Sequence, residues 1–278
     1  MLERIRPAAA LMAITAAIAL ALPSARAEIV PVRHRQGAFH TFLALRNLAG
    51  DLLATGDLTQ TVNRSQVTAQ LIFHFTDGSL YEEKTVFSQG RGLRLVSDHM
   101  VQKGPSFPHP IDFSLTAATG QVTVKTSDNG KEESSSERIR VPEDTVNGML
   151  LPILLNIAAD ASKTSTGTGP PSSTTGGSDF EVSFVTPAHK PRVVKFAISK
   201  GEGPTFSIGA SRREALDFTV KTKIGGIAGA VASVIGKQPP DTHVWLSAGP
   251  VPGFLRLEGI LYEGGPVWRI EPAAIVWP

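Results

Sequence analysis

Through the first half of the chain, apolar and polar positions alternate in short runs broken by turn residues, and a two-residue period predicts strands with one buried face. The clearest run sets Val67, Ala69, Leu71, Phe73 and Phe75 against Thr68, Gln70, Ile72, His74 and Thr76. Asp77-Gly78 follows at once. Both residues tolerate positive φ, which predicts a tight hairpin into a strand over 80–87. Ala49-Gly50-Asp51, Asn63-Arg64 and Gln89-Gly90 punctuate the neighbouring runs, and connections this short join antiparallel neighbours in a meander. A proline-dense connector, Pro105 to Pro110, suits neither a central strand nor a helix interior. Strands over 111–115, 121–126 and 132–141 follow. The last of them carries Ser134, Ser135, Ser136 and several charges, which suits a solvated sheet edge.

One segment breaks the period. Pro142-Glu143-Asp144 has the layout of a helix start, and Val146, Met149, Leu150, Leu151, Ile153, Leu154, Leu155 and Ile157 follow it. The expectation is one substantial apolar helix over 142–158, kinked at Pro152 and buried against the inner face of the sheet. Residues 160–178 are almost wholly Ser, Thr, Gly and Pro, a composition that predicts a disordered insertion within one domain. Strands then resume over 180–185, 192–198, 205–208, 215–224, 243–246, 254–258 and 267–270. Between two of them lies Gly225 to Gly236, an apolar, charge-free and glycine-rich stretch that reads as a short helix across one end of the sheet or as a movable lid.

The start of the chain changes the electrostatic picture. Arg4 and Arg6 precede an apolar run of roughly 15 residues, shorter than the roughly 20 needed to cross a bilayer. Ala25-Arg26-Ala27 supplies the small residues of a signal-peptidase site. Residues 1–27 therefore read as a signal peptide and 28–278 as a single β-rich domain, exported to the periplasm or the cell exterior. The leader carries Arg4, Arg6 and Arg26 against Glu3, so its removal takes the formal net charge of +2 to zero. A neutral mature chain has no global attraction to nucleic acid. With no cysteine there are no disulfides, thiolate metal sites or cysteine nucleophiles, and stability comes from burial.

The order of these elements carries a resemblance. Val141-Pro142-Glu143 opens the helix, His243-Val244-Trp245-Leu246 leads into Pro252-Gly253-Phe254-Leu255-Arg256-Leu257, and Leu261 to Glu271 closes with a tryptophan-bearing strand. A long meander, one apolar helix and a final strand series resemble exported bacterial proteins of unknown function built on a curled antiparallel β-meander. The lipoprotein carriers of the periplasm are similar in architecture. The resemblance implies a mainly β fold, a single curved antiparallel sheet or open barrel, and it implies no activity.

Motifs for chemistry are missing. There is no Gly-x-Ser-x-Gly elbow, no His-Glu-x-x-His, no phosphate loop and no dinucleotide fingerprint, so no cofactor or metal is expected and no catalytic residue is assigned. Asp98-His99 is the directly adjacent carboxylate and imidazole, and it defines the competing reading of an envelope enzyme with an acid-base site there. The hairpin offers a second candidate. A two-residue turn puts Leu80, Glu82 and Lys84 on the face of Phe73 and Phe75, whereas a three-residue turn puts Tyr81, Glu83 and Thr85 there. In either register a glutamate shares the phenylalanine face, where it must pair, shift its pKa or sit in a wet cavity. The leading reading is an exported, non-enzymatic binding module for a lipid or other apolar small molecule. Phe73, Phe75, Glu83, Leu150, Leu154 and Ile227 are its candidate ligand contacts, with peripheral membrane contact as a further expectation. A structural interaction protein is the third reading.

Overall fold

The computed structural model of the chain describes residues 29–128, 131–164, 180–208, 211–223, 239–249 and 251–273. The signal-peptide expectation at 1–27, Ile227 and the rest of the glycine-rich stretch, and positions 165–178 of the Ser/Thr/Gly/Pro segment lie outside the described residues.

Alternation does what the sequence implies. Eight strands follow one another as a meander: β1 (Phe39–Arg46), β2 (Leu52–Asn63), β3 (Gln66–Phe75), β4 (Leu80–Gln89), β5 (Leu93–Lys103), β6 (Ile111–Thr116), β7 (Gln121–Asp128) and β8 (Lys131–Arg138). After the helix α1 (Leu150–Thr164) come β9 (Phe180–Val185), β10 (Val193–Glu202), the short hairpin β11 (Phe206–Ile208) and β12 (Ser211–Arg213), then β13 (Ala215–Lys223), β14 (Thr242–Ser247), β15 (Phe254–Gly259) and β16 (Trp268–Pro272). All but β11 and β12 belong to one 14-stranded antiparallel sheet ordered β8-β7-β6-β5-β4-β3-β2-β1-β16-β15-β14-β13-β10-β9. The two halves join where β1 pairs β16, from Leu43 opposite Pro272 to Arg46 opposite Arg269. The edges are β8, whose polar strand is exposed along nearly its whole length, and β9.

The sheet is curled, and its inner face is read off the register. Val67, Ala69, Leu71 and Phe73 of β3 stand opposite Phe87, Thr85, Glu83 and Tyr81 of β4, and the same four with Phe75 stand opposite alternate residues of β2 on the other side. Phe73, Phe87, Phe113, Phe218, Leu246 and Leu154 are fully buried in one continuous cluster that draws on both halves of the sheet and on α1. At one end Phe107 leaves the proline-dense connector and inserts among Phe75, Tyr262 and Trp268, with ring centroids 5.3, 5.5 and 6.1 Å away. The other flank of α1 is tied by the chain start, where the Asn156 side chain accepts from the backbone of Arg33 (2.6 Å) and His34 (2.7 Å).

The helix differs from its predicted bounds. It starts at Leu150, not at 142, and continues to Thr164, so 160–164 is helical instead of part of a disordered insertion. Pro152 accordingly lies in the first turn, where its missing N–H has no intrahelical role, and the expected kink loses its cause. Residues 142–149 form a strap of two turns on either side of a single bridge residue instead. Pro142 opens a turn whose carbonyl accepts from the Thr145 backbone (3.2 Å) and hydroxyl (2.7 Å), and Gly148 has φ of 61°, which interrupts helical winding. Local helix signals yield here to partners on β9.

Candidate functional site

The strap runs along the β9 edge of the sheet. Thr145 bridges Ser183 in parallel, with the Val146 N–H donating to the Ser183 carbonyl (2.9 Å) and the Ser183 N–H to the Asp144 carbonyl (3.1 Å). Asn147, 1 % exposed, then imitates a strand residue: its amide donates to the Val185 carbonyl and accepts from the Val185 N–H, both at 2.8 Å. The buried Asp144 carboxylate accepts from the Ser183 hydroxyl (2.8 Å) and from Lys195 Nζ (2.7 Å), and Lys195 also reaches Ser183 Oγ (2.9 Å). Ser183 is wholly enclosed and its lysine neighbour is held as the cation of an ion pair, so this group works as a clasp and not as a nucleophile with its base.

Directly beneath the strap lies the polar centre of the inner face. The hairpin has a three-residue turn, with the Phe75 N–H donating to the Ser79 carbonyl and Gly78 at φ 85°. That register puts Tyr81, Glu83 and Thr85 on the phenylalanine face. On β5, Asp98 stands opposite Thr85 and Met100 opposite Glu83, so the two carboxyls are diagonal neighbours on one face. Tyr81 donates to Glu83 (3.0 Å) and Thr85 donates to Asp98 (2.8 Å). Asn147 also donates to Asp98, which links this centre to the strap. Gly148 lies so close that any Cβ there would collide with the Thr85 hydroxyl.

Burial dominates the electrostatics. It drives the Asp98 carboxyl well above the usual range, the Glu83 charge adds to that, and the bonds from Thr85 and Asn147 oppose it. Burial also raises Glu83 against the Tyr81 bond, and it raises the Tyr81 phenol, with Glu83 and Asp98 adding to it. Glu83 as a residue is half-buried, and its carboxyl meets the Tyr81 phenol inside the curl.

The candidate residues separate accordingly. Phe73, Phe75 and Leu154 are buried in the core, and Leu150 is half-buried against it. Glu83 joins Asp98, whereas His99, next in the strand, points to the outer face and meets Asp112 at 3.0 Å. Strand alternation therefore splits the Asp98-His99 dyad across the sheet, and that acid-base site does not form. Among the described residues no group of three His, Asp or Glu side chains could hold a metal ion, and no helix is long and apolar enough to cross a membrane. The recess between Val30, Leu93, Ile153, Val182 and the strap leaves no room for a water molecule, so there the helix fills the space it covers. The strap residues Asp144 and Asn147 carried a signal in the sequence, two polar side chains ahead of an apolar run, but that pattern matches a helix start equally well. Phe107, isolated among prolines, had no periodic partner to mark it.

These features define a barrel-like protein: a curled antiparallel sheet with a helix packed on its inner face and a strap along its β9 edge. No family model matches the chain, and no curated protein matches it. Among solved structures it is similar to a β-barrel-like protein of a domain of unknown function, DUF1849, from Brucella abortus. The two are 10% identical, with a TM-score of 0.39 over 86% of this chain and 97% of the other.

Proposed function

We propose that the protein is an exported module of the bacterial envelope that binds an apolar chain, such as the acyl part of a lipid, between the curled sheet and α1, without catalysis. The observation that carries this reading is the cover itself. A concave apolar face is closed by one helix whose tether, the strap, is held by a small set of side-chain contacts and one bridge instead of a continuous ladder. A helix so held can be exchanged for a ligand of similar shape when the strap moves. Phe73, Phe75, Leu150 and Leu154 would then line the ligand path, with peripheral contact to a membrane at the moment of loading.

Native and denaturing mass spectrometry of protein from a membrane-containing lysate test this directly, together with melting in the presence of palmitate. Co-purified lipid, and a melting temperature that rises with palmitate by mass action, are the expected results. A lipid-free protein with unchanged melting would remove the reading. It would favour a structural interaction protein instead, for which the filled recess under the strap already speaks.

A further inference from the structure

We propose that Glu83 and Asp98 form a proton-operated latch for the strap: while the pair keeps a proton, the strap lies closed over β4, β5 and β9, and when both carboxyls are ionised it lifts. This concerns motion of the strap whatever the interior holds, so it stands apart from the lipid reading.

The geometry supplies the first part of the argument. One negative charge in this place has donors ready, since Thr85 and Asn147 both bond Asp98 and Tyr81 bonds Glu83. A second charge has none of opposite sign to meet. From β3 the pair sees Leu71 and Ala69, from β6 Leu115 and Phe113, and from its own strands Met100 and the Tyr81 phenol. The helix contributes no ionisable residue over 150–159, and the strap's Asp144 is already paired with Lys195, which also lies near Glu181 on β9. No lysine, arginine or histidine among the described residues acts on either carboxyl. Two like charges in a low-dielectric interior without a counter-ion are relieved only by water.

The route for that water follows from what can move. β4 and β5 are fixed to each other by a full ladder. The strap over them is held by the Thr145 to Ser183 bridge, the Asn147 amide, the Asp144 clasp and an exposed ion pair from Glu143 to Arg94 of β5 at 3.0 Å. Gly148 seals Thr85 and Asp98 by close contact, so lifting it admits solvent to the pair. Asn147 belongs to both the seal and the seam, and a displacement at one therefore reaches the other. The second proton leaves to bulk water.

The direction is fixed by linkage. Burial raises both carboxyls, so the closed state binds more protons than an open one. The contribution of this pair to closure is fully present below the ordinary carboxylate range and is lost as pH rises through the raised values.

Amide exchange from about pH 4 to about pH 9, corrected for intrinsic chemistry, reads the opening. The expected result is that the Val146 and Met149 amides, with that of Val185, open more with rising pH, on the order of tenfold per pH unit across the second ionisation. The β3 amides should remain protected. Glu83→Gln and Asp98→Asn should each flatten that slope. Strap opening that is independent of pH in the wild type, a slope that persists in both variants, or β3 opening with the same slope would overturn the proposal. A carboxyl NMR titration of the unaltered protein needs no variant: Asp98 titrating in the ordinary carboxylate range overturns the latch, and titration above it sustains it.

Discussion

The molecule has two seams, β1 against β16 and the strap against β9, and they are closed by different means. Where the chain's halves meet, β1 and β16 form an antiparallel ladder of backbone bonds, crossed on the outer face by the Arg46 to Glu271 ion pair (3.4 Å), while Arg256 to Glu271 (3.3 Å) and Arg269 to Glu258 (2.8 Å) continue the charged row between β16 and β15. β8 and β9 end the sheet, and along β9 the strap stands in for a paired strand with the Thr145 bridge, the Asn147 amide and the Asp144 clasp. Backbone ladders are available to any strand sequence, so the first seam tolerates side-chain change. The second is encoded in a few side chains and fails when one of them is lost. A protein that must open does so most cheaply at a seam of the second kind.

The largest effect that sharpens the contrast is expected under the strap. Leu154→Ala empties a fully buried position between the helix and the sheet and should cost about 2–5 kcal/mol in chemical denaturation. A loss well under 1 kcal/mol would mean that the helix is a loosely held cover with little packing against the sheet. Next, Asn147→Ala removes both partners of the Val185 backbone within the seam and one donor to Asp98. Leaving buried backbone groups unsatisfied should cost about 2–4 kcal/mol, and exchange of the Val185 amide should rise before that of the sheet centre. If the two rise together, the strap and the sheet are one cooperative unit and the distinction between seams is lost.

The difference between the seams also explains what the sequence revealed. Strands β3 to β7 were legible because alternation is a local signal, and the polar run over β8 marked an edge without any tertiary knowledge. The buried partners of Phe73 were half legible: the sequence left two registers for the hairpin, and the turn of three residues chose Glu83 over Glu82. The strap looks like a helix in sequence because Pro142, Glu143 and Asp144 are helix-start residues by propensity, while the partners that hold Asp144, Ser183 and Lys195, lie some 40 and 50 residues away along the chain. The Asp98 centre was out of reach for the same reason. Asp98 sits beside His99 in sequence, but alternation sends the two to opposite faces, and only the register brings Glu83 alongside.

Smaller effects are expected at the ladder seam. Arg46→Ala removes a partly exposed ion pair with Glu271 and a bond to the Gly50 carbonyl, in a place where the backbone pairing of β1 with β16 is untouched. The cost should be about 1 kcal/mol or less, reduced further by salt. A loss comparable to that of Asn147→Ala would show that the outer ion network, and not the ladder, holds the two halves together.

The smallest effect belongs to the contact between β8 and the loop that follows β9. Ser135 of β8 donates its hydroxyl to the His189 carbonyl in that loop at 2.9 Å. Both groups lie at the surface, so water replaces either partner when the other is removed, and an exposed hydrogen bond of this kind contributes little net free energy. Ser135→Ala should therefore change stability by about 0.5 kcal/mol or less. The informative readout is local: exchange at Val146 and Val185 should be unchanged, because the strap holds its seam through β9 and does not lean on β8. Faster exchange at those amides would make the contact between β8 and that loop part of the closure, with the strap as a secondary support.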